Sequence, residues 1–269
     1  MRKKLKFSKM EGTGNDFVVI DNRSGTIKDR KSLARRICLR KKGVGADGLL
    51  LLEKSDKADF KMRIFNPDGS EPEMCGNGAR CIARFAYLEG IVDKECCFET
   101  LSGLVSAYIN EERVRIRMKD PRFLNLNLKL SLKDNSYQGY HLDTGVPHFV
   151  LFVPEVEKVI LEKVGPEIRY HQYFQPEGTN VNFVEAKGNF LKVRTYERGV
   201  EAETLSCGTG VTAAAIVASL VQGFSSPVKV TTKGGHLRIH FQRKNEDNFT
   251  QVFLEGEVRF VYKGEYNES

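Results

Sequence analysis

Residues Cys75–Gly90 read CGNGARCIARFAYLEG, and residues Cys207–Gly223 read CGTGVTAAAIVASLVQG. Each opens with C-G-x-G and runs into an Ala-rich apolar stretch long enough for a buried helix. The two lie 132 residues apart, and other fragments keep that spacing. Lys61-x-Arg63-x-Phe65 is matched 131 residues later by Lys192-x-Arg194-x-Tyr196, and Thr100-x-x-Gly103 is matched 132 residues later by Thr232-x-x-Gly235. TGNDFVV, from Thr13, resembles TGVPHFV, from Thr144, with one extra residue in the second copy. Four fragments in one order at nearly one offset predict an internal duplication.

Around these anchors strand signals dominate. FVVID, KMRIF and VRIRM in the first half, with FVLFV, LKVRTY, LRIHF and VRFVY in the second, are rich in β-branched and aromatic residues and partly alternate. PDGS and KGN supply turns between several of them. The expected fold is therefore α+β: two domains related by a pseudo-twofold axis, each a curved β-sheet wrapped round a central helix. The boundary is expected near Pro121–Lys133, giving residues 1–124 and 125–269, with the C-terminal strand free to pack on the first domain.

Composition bounds the function classes. The chain has 269 residues, 41% hydrophobic and 29% charged, which suffices for a core and excludes a disordered polyampholyte. No apolar run approaches the ~18–20 residues of a spanning helix, and the start, MRKKLKF, lacks the apolar stretch of a secretory signal. A soluble, cytoplasmic protein is expected. Six cysteines, at 38, 75, 81, 96, 97 and 207, are then expected as thiols. None has CxxC spacing and the histidines are not at ligand spacing, so no metal site is expected. Neither GxGxxG nor GxxxxGK[ST] is present, and no cofactor is announced. Residues 1–131 hold 27 of the 42 Lys and Arg but only 18 of the 35 Asp and Glu. Much of that excess lies in RKSLARRICLRKK, Arg30–Lys42, which reads as an amphipathic helix with a basic outer face. No aromatic residues interleave with its charges, so a solvated face is expected rather than a nucleic-acid footprint.

The C-G-x-G turns carry the chemistry. A Gly-containing loop that opens a helix gathers free backbone N–H groups at the positive end of the dipole, a binding place for carboxylate or phosphate. The same field lowers the pKa of an adjacent cysteine, so thiolates are expected at Cys75 and Cys207. A single cysteine of this kind is ordinarily a small buried hydrophobe; two at equivalent repeat positions call for a function. Cys38, Cys81, Cys96 and Cys97 lack repeat partners and read as packing residues. Two thiols related by a twofold axis suit inversion at a carbon acid, in which one base removes a proton and an acid protonates the opposite face. The turns would then stabilise the enolate-like charge that develops.

At these residues the chain resembles the diaminopimelate epimerases. The resemblance runs through KMEGTGNDF, GVGADGLLLL, RIFNPDGSEPEMCGNGARC, TGVPHF, GTNVNF and YERGVEAETLSCGTG, nearly the whole chain. It implies a pyridoxal-phosphate-independent isomerase that interconverts LL- and meso-diaminopimelate in lysine and peptidoglycan-precursor synthesis, without a cofactor. It further implies that Cys75 and Cys207 are the acid/base pair. In the LL-to-meso direction Cys207 accepts the proton and Cys75 donates one. Gly76, Asn77, Gly208 and Thr209 would hold the reacting carboxylate. Asn15, Asn66, Asn180, Glu197 and Arg198 would surround the amino groups and distal carboxylate. Physically, Arg198 suits a carboxylate fork and Glu197 an ammonium, whereas Asn66 in NPDG equally suits a turn. His148, which the repeat aligns with Asp16, matches a site residue and as a neutral imidazole could take a thiol proton. Two positions depart from the family pattern: Val146 stands where Asn is common and Gly48 where Gln is common, which bears on substrate specificity. Related enzymes are often dimers and β-rich halves offer edges, so a homodimer is the assembly the resemblance implies. Proline and hydroxyproline racemases, which also use two cysteines, are the alternative; they have no use for the Arg198 fork. A thiol-redox or anion-binding protein ranks last, because redox pairs usually lie close in sequence. Phenazine-biosynthesis isomerases share the scaffold but lack the cysteine pair.

Overall fold

The computed structural model describes residues 3–132, 135–245 and 247–268. They fall into two compact units, Met1–Ile116 with Gly256–Ser269, and Arg117–Glu255.

The first unit begins with the hairpin β1 (Lys3–Gly12) and β2 (Asn15–Asp21). Gly12 pairs with Asn15 across a two-residue turn in which Thr13 (φ 53°) and Gly14 (φ 88°) are both left-handed, the turn type that matches strand twist. Helix α1 (Arg30–Ile37) carries the chain to β3 (Gly48–Glu53), parallel to β2. β3 pairs antiparallel with β4 (Phe60–Phe65). Helix α2 (Gly76–Leu88) then crosses to β5 (Glu95–Thr100), parallel to β4, and β6 (Gly103–Asn110) and β7 (Arg113–Arg117) follow antiparallel. β3 reads GLLLL and is buried on both faces, as suits an inner strand that follows a parallel crossover. Ten consecutive residues of α2, Asn77–Ala86, are buried, so the sheet wraps this helix closely.

The second unit repeats the plan. After the antiparallel strands β8 (Arg122–Ser131), β9 (Ser136–Asp143) and β10 (Pro147–Phe152), helix α3 (Leu161–Arg169) crosses to β11 (Asn180–Lys187), parallel to β10. β11 pairs antiparallel with β12 (Phe190–Glu197), and the short β13 (Ala202–Thr204) folds back on β12. Helix α4 (Gly208–Gln222) crosses to β14 (Val228–Thr232), parallel to β12, before β15 (Gly235–Arg243) and β16 (Phe249–Glu257). α4 is apolar on every side and buried from Gly210 to Ser219, the mark of a helix enclosed by its own unit. β17 (Arg259–Glu268) returns to the first unit, antiparallel to β1.

All four repeated fragments occupy equivalent places. Thr100 Oγ1 donates to Gly103 O (2.8 Å) and Thr232 Oγ1 to Gly235 O (3.2 Å), the same turn bond in each copy. Two readings change in detail. The segment Pro121–Lys133 was expected to join the domains, yet Arg122–Ser131 is a strand of the second unit; Lys133 lies outside the described residues. The alternation in FLNLNLKL pairs it with β9, so the units part after Ile116 rather than after Leu124. The basic helix expected over Arg30–Lys42 ends at Ile37, where Gly43 and Gly45 bring the chain back and donate N–H groups to Leu39 O and Ile37 O. Its arginines are engaged: Arg30 with Glu53 (2.7 Å), Arg36 with Glu268 (2.9 Å) and Arg40 with Asp47 (2.7 Å).

Candidate active site

In the first unit Cys75 is the N-cap of α2, in extended conformation, and its Sγ accepts the Gly78 N–H at 3.5 Å. Gly76 and Asn77 form the first turn, where backbone N–H groups have no partner within the helix. Asn77 is fixed from both sides. Its Nδ2 donates to Asn15 Oδ1 (2.6 Å), and its Oδ1 accepts from Arg80 Nη2 (2.8 Å). Asn15 Nδ2 in turn donates to Asp47 Oδ2 (3.2 Å). The series runs from a cation through two amides to a carboxylate, every dipole aligned, so each bond strengthens the next. Arg80 is fully buried and also donates to Thr13 Oγ1 (2.6 Å) and Gly76 O (3.3 Å). Among the described residues no carboxylate ion-pairs with it, and burial pushes its guanidinium pKa down.

Asn66 takes the turn role: its N–H donates to Ser70 O (2.8 Å) and its Nδ2 to Ser70 Oγ (3.0 Å). Asp16, the repeat counterpart of His148, pairs with Lys9 (2.7 Å) and Arg40 (3.0 Å). Burial acts against ionisation, but hydrogen bonds from Lys9 and Arg40 outweigh it and hold the carboxyl at about 2. Gly48 begins β3 where a Cβ would lie 3.2 Å from Phe65 O and 3.3 Å from the Phe17 ring. The absence of a side chain there is a packing solution as well as a missing amide.

In the second unit Cys207 caps α4, and Gly208 and Thr209 open its first turn. Cys207 lies buried with its Sγ 3.5 Å from Thr209 Oγ1. It also hydrogen-bonds the Glu197 carboxylate. The expected thiolate is not the resting state of this residue. Burial, then the Glu197 charge, pushes the thiol up to about 12, against the opposing hydrogen bonds of Thr209 and Gly210. Desolvation has outweighed the helix terminus. Burial likewise raises the Glu197 pKa, opposed by hydrogen bonds from Thr204 and Cys207; Thr204 Oγ1 donates to Glu197 Oε2 at 2.8 Å.

His148, on β10, is fully buried. Asn182 Nδ2 lies 3.1 Å from its Nδ1 and also donates to Phe149 O, while Thr195 Oγ1 donates to Asn182 Oδ1. That arrangement makes Nδ1 the acceptor and leaves the proton on Nε2, which has no partner among the described residues. Burial, then the nearby Arg198 and His141, pushes the imidazole down to about 3. His148 is held neutral, and this setting opposes its taking a proton from a thiol in the free protein. Asn180 is spent on the backbone: Nδ2 donates to Pro147 O (3.0 Å), and Oδ1 accepts the Arg198 N–H (2.9 Å). It thereby ties the β10 end carrying His148 to the Tyr196–Gly199 segment. The half-buried Arg198 donates through Nη1 to Glu177 O (3.2 Å) and forms no ion pair among the described residues.

Sequence reasoning missed Arg80, Thr204 and Asn182. Asn182 carried a signal, since NVN places Asn180 and Asn182 on one face of a buried strand. Arg80 and Thr204 carried none: the Arg80 bond to Thr13 joins distant segments, and the Thr204 bond to Glu197 needs β13 to fold back on β12. Among the described residues no three His, Cys, Asp or Glu side chains are grouped to hold a metal ion.

The family model for diaminopimelate epimerase matches residues 7–124 and 140–261. The diaminopimelate epimerase of Aquifex aeolicus is 45% identical over 280 residues, covering 98% of each chain. That of Methanothrix thermoacetophila is 44% identical over 274 residues, covering 97% of this chain and 95% of its own. Among solved structures, a Bacillus anthracis phenazine biosynthesis protein superposes with TM-score 0.75 at 16% identity, covering 98% of this chain and 99% of its own. An Agrobacterium vitis hydroxyproline epimerase with bound trans-4-hydroxy-L-proline gives 0.71 at 16% identity, covering 100% and 95%. The structural likenesses speak for the fold; the matched sequence, with both C-G-x-G turns capping central helices, shows that the chain belongs to the diaminopimelate epimerase family.

Proposed function

We propose that this isomerase interconverts LL- and meso-diaminopimelate by a cofactor-independent two-base reaction in which Cys75 and Cys207 exchange the roles of acid and base. One observation carries the reading: each unit seats a cysteine as the N-cap of its buried central helix, where first-turn N–H groups without a partner inside the helix collect. In the LL-to-meso direction Glu197, which hydrogen-bonds Cys207 and whose burial raises its proton affinity, takes the Cys207 proton as substrate binds, against the burial that favours the thiol in the free protein. The thiolate so formed removes the α-proton. The Cys75 thiol delivers a proton to the opposite face of the carbon. N–H groups of Gly76, Asn77, Gly208 and Thr209 stabilise the carboxylate as it gains enolate character, the largest rate contribution in such sites. Arg198 receives the distal carboxylate in a planar fork, with Val146 leaving part of that end to backbone and water. Asn15, Asn66 and Asn180 act through the turns they hold. His148 serves as a neutral N–H donor.

The substrate is a small molecule. No nucleic-acid partner is proposed, because Arg30 and Arg36 of α1 and Arg40 beyond it are engaged in internal ion pairs, and Arg35 donates to Asp68 O. A cytoplasmic site of action in lysine and peptidoglycan-precursor synthesis suits a reaction that needs reduced thiols, and the assembly proposed is a homodimer. The test is incubation with LL-diaminopimelate in D2O, with L-proline and trans-4-hydroxy-L-proline in parallel. Deuterium at one α-carbon with formation of the meso isomer is expected. If neither appears while both thiols titrate as reduced, the reading is overturned, and labelling of proline instead would move the chain to the racemases.

A further inference from the structure

The repeated Lys-x-Arg-x-aromatic fragment is not used by the chemistry above, yet it makes the same contact twice. On β4, Arg63 Nε donates to Glu71 Oε1 and Nη2 to Glu71 Oε2 (2.7 Å). On β12, Arg194 Nε donates to Glu203 Oε1 (2.7 Å) and Nη2 to Glu203 Oε2 (2.8 Å). The atom pairing is identical in the two units. Glu71 stands four residues before Cys75, and Glu203 four residues before Cys207. We infer that these two forks are positioning devices, each anchoring the segment that delivers its own unit's cysteine to the start of the helix.

Three features support this. Both forks are largely shielded, with side-chain exposures of 21% and 15% for Arg63 and Glu71, and 10% and 11% for Arg194 and Glu203. A carboxylate gripped at both oxygens by a planar group on a strand loses the rotation that a single hydrogen bond leaves. Each arginine is itself braced: Arg63 lies over the Phe65 ring, and Arg194 Nη1 donates to Val156 O and Val159 O. The need is plainest in the first unit, where residues 66–75 form no strand and the fork ties Glu71, four residues before the thiol, to β4. In the second unit β13 adds a ladder on β12, and Lys233 adds a further bond to Glu203 (2.8 Å). Four residues allow no more than about 14 Å of chain between anchor and cysteine. Fixing the carboxylate therefore limits how far the thiol can stray. The adjoining Thr204 donates to Glu197, so the second fork also places the group that accepts the Cys207 proton.

This inference rests on the two-thiol reading, and its test separates the two. Arg63→Lys and Arg194→Lys keep the charge and lose the fork; the exchange Arg63→Glu with Glu71→Arg restores an ion pair in reverse. Fold is checked by circular dichroism and Tm. Activity is measured as kcat and KM for diaminopimelate. Iodoacetamide alkylation is followed against pH, separately at Cys75 and Cys207, by peptide mass spectrometry. Each Lys variant should lose about 10- to 100-fold in kcat, the cost of a small misplacement, with KM nearly unchanged. Its alkylation profile should move only at the cysteine of its own unit, and the exchanged pair should recover part of both. Unchanged kcat and alkylation, or equal change at both cysteines with a fall in Tm, would make the forks ordinary ion pairs. Alkylation does not depend on the substrate. Absence of epimerisation by the unaltered protein would therefore overturn the function, while the cysteine-specific shift still decides the forks.

Discussion

At Cys207 the hydrogen bonds from Thr209 and Gly210 favour a thiolate, while burial and the Glu197 charge favour the thiol and win. Replacing either cysteine with alanine should abolish epimerisation, measured as deuterium incorporation. Near-normal turnover by either variant would exclude the two-base scheme. Glu197→Gln should have two opposite effects. Loss of the negative charge makes the Cys207 thiol more acidic and quickens its alkylation near pH 8, whereas loss of the proton acceptor lowers kcat by about 10²- to 10⁴-fold. Parallel rise or parallel fall of the two rates would refute that assignment. His148 sets a stability test. Its pKa falls from 6.5 in the unfolded chain to about 3 in the fold. Between those values the unfolded chain binds a proton that the folded one refuses. The contribution is whole above pH 6.5 and declines as pH falls toward 3, by up to about 1.4 kcal/mol per pH unit. His148→Asn should flatten the fall of Tm between pH 6.5 and 4, and an equally steep profile would place the responsible proton elsewhere.

At the scale of an element, the second glycine of C-G-x-G has a different reason in each helix. A Cβ on Gly78 would press on Leu50 and Ile64 at 3.2–3.3 Å, a matter of core fit. A Cβ on Gly210 would meet Asn182 Oδ1 at 2.3 Å and Cys207 Sγ at 3.3 Å. Helix propensity alone favours Ala over Gly by ~1 kcal/mol, but the clash with Asn182 has no flexible end to yield. Gly210→Ala should therefore displace the Asn182 amide or the thiol and cost about 10²-fold in kcat; unaltered kcat would show that the site tolerates the shift. The same contrast shows what was legible beforehand. The turns, the central helices and the cysteines rest on local chemistry, so short motifs disclosed them. The Asn182 network and the buried Arg80 join segments farther apart in sequence, whereas the Arg63–Glu71 and Arg194–Glu203 forks span only eight and nine residues, and it takes the folded strand to show which carboxylate each arginine meets. The thiolate expected at Cys207 followed from the helix terminus alone, because burial depth is a property of the finished unit. Arg122–Ser131, inside the boundary expected near Pro121–Lys133, is a strand whose leucines are divided, Leu124 and Leu126 exposed and Leu128 and Leu130 buried.

Over the whole molecule the first unit is written in two parts, with the second inserted between Ile116 and Arg117 on one side and Glu255 and Gly256 on the other. The antiparallel ladder from Lys3↔Glu268 to Glu11↔Arg259 joins those parts. A variant ending at Glu255 should lose hydrogen-exchange protection in β1 and β2 while β10–β12 keep theirs. Uniform loss across both units would show one cooperative block. Translation meets this arrangement in a fixed order. A nascent chain presents every residue of the second unit before the ribosome has made β17, so the unit encoded later is the first able to finish. Until then the ten residues of β1 offer one bare edge, the surface that chaperones guard and aggregates exploit.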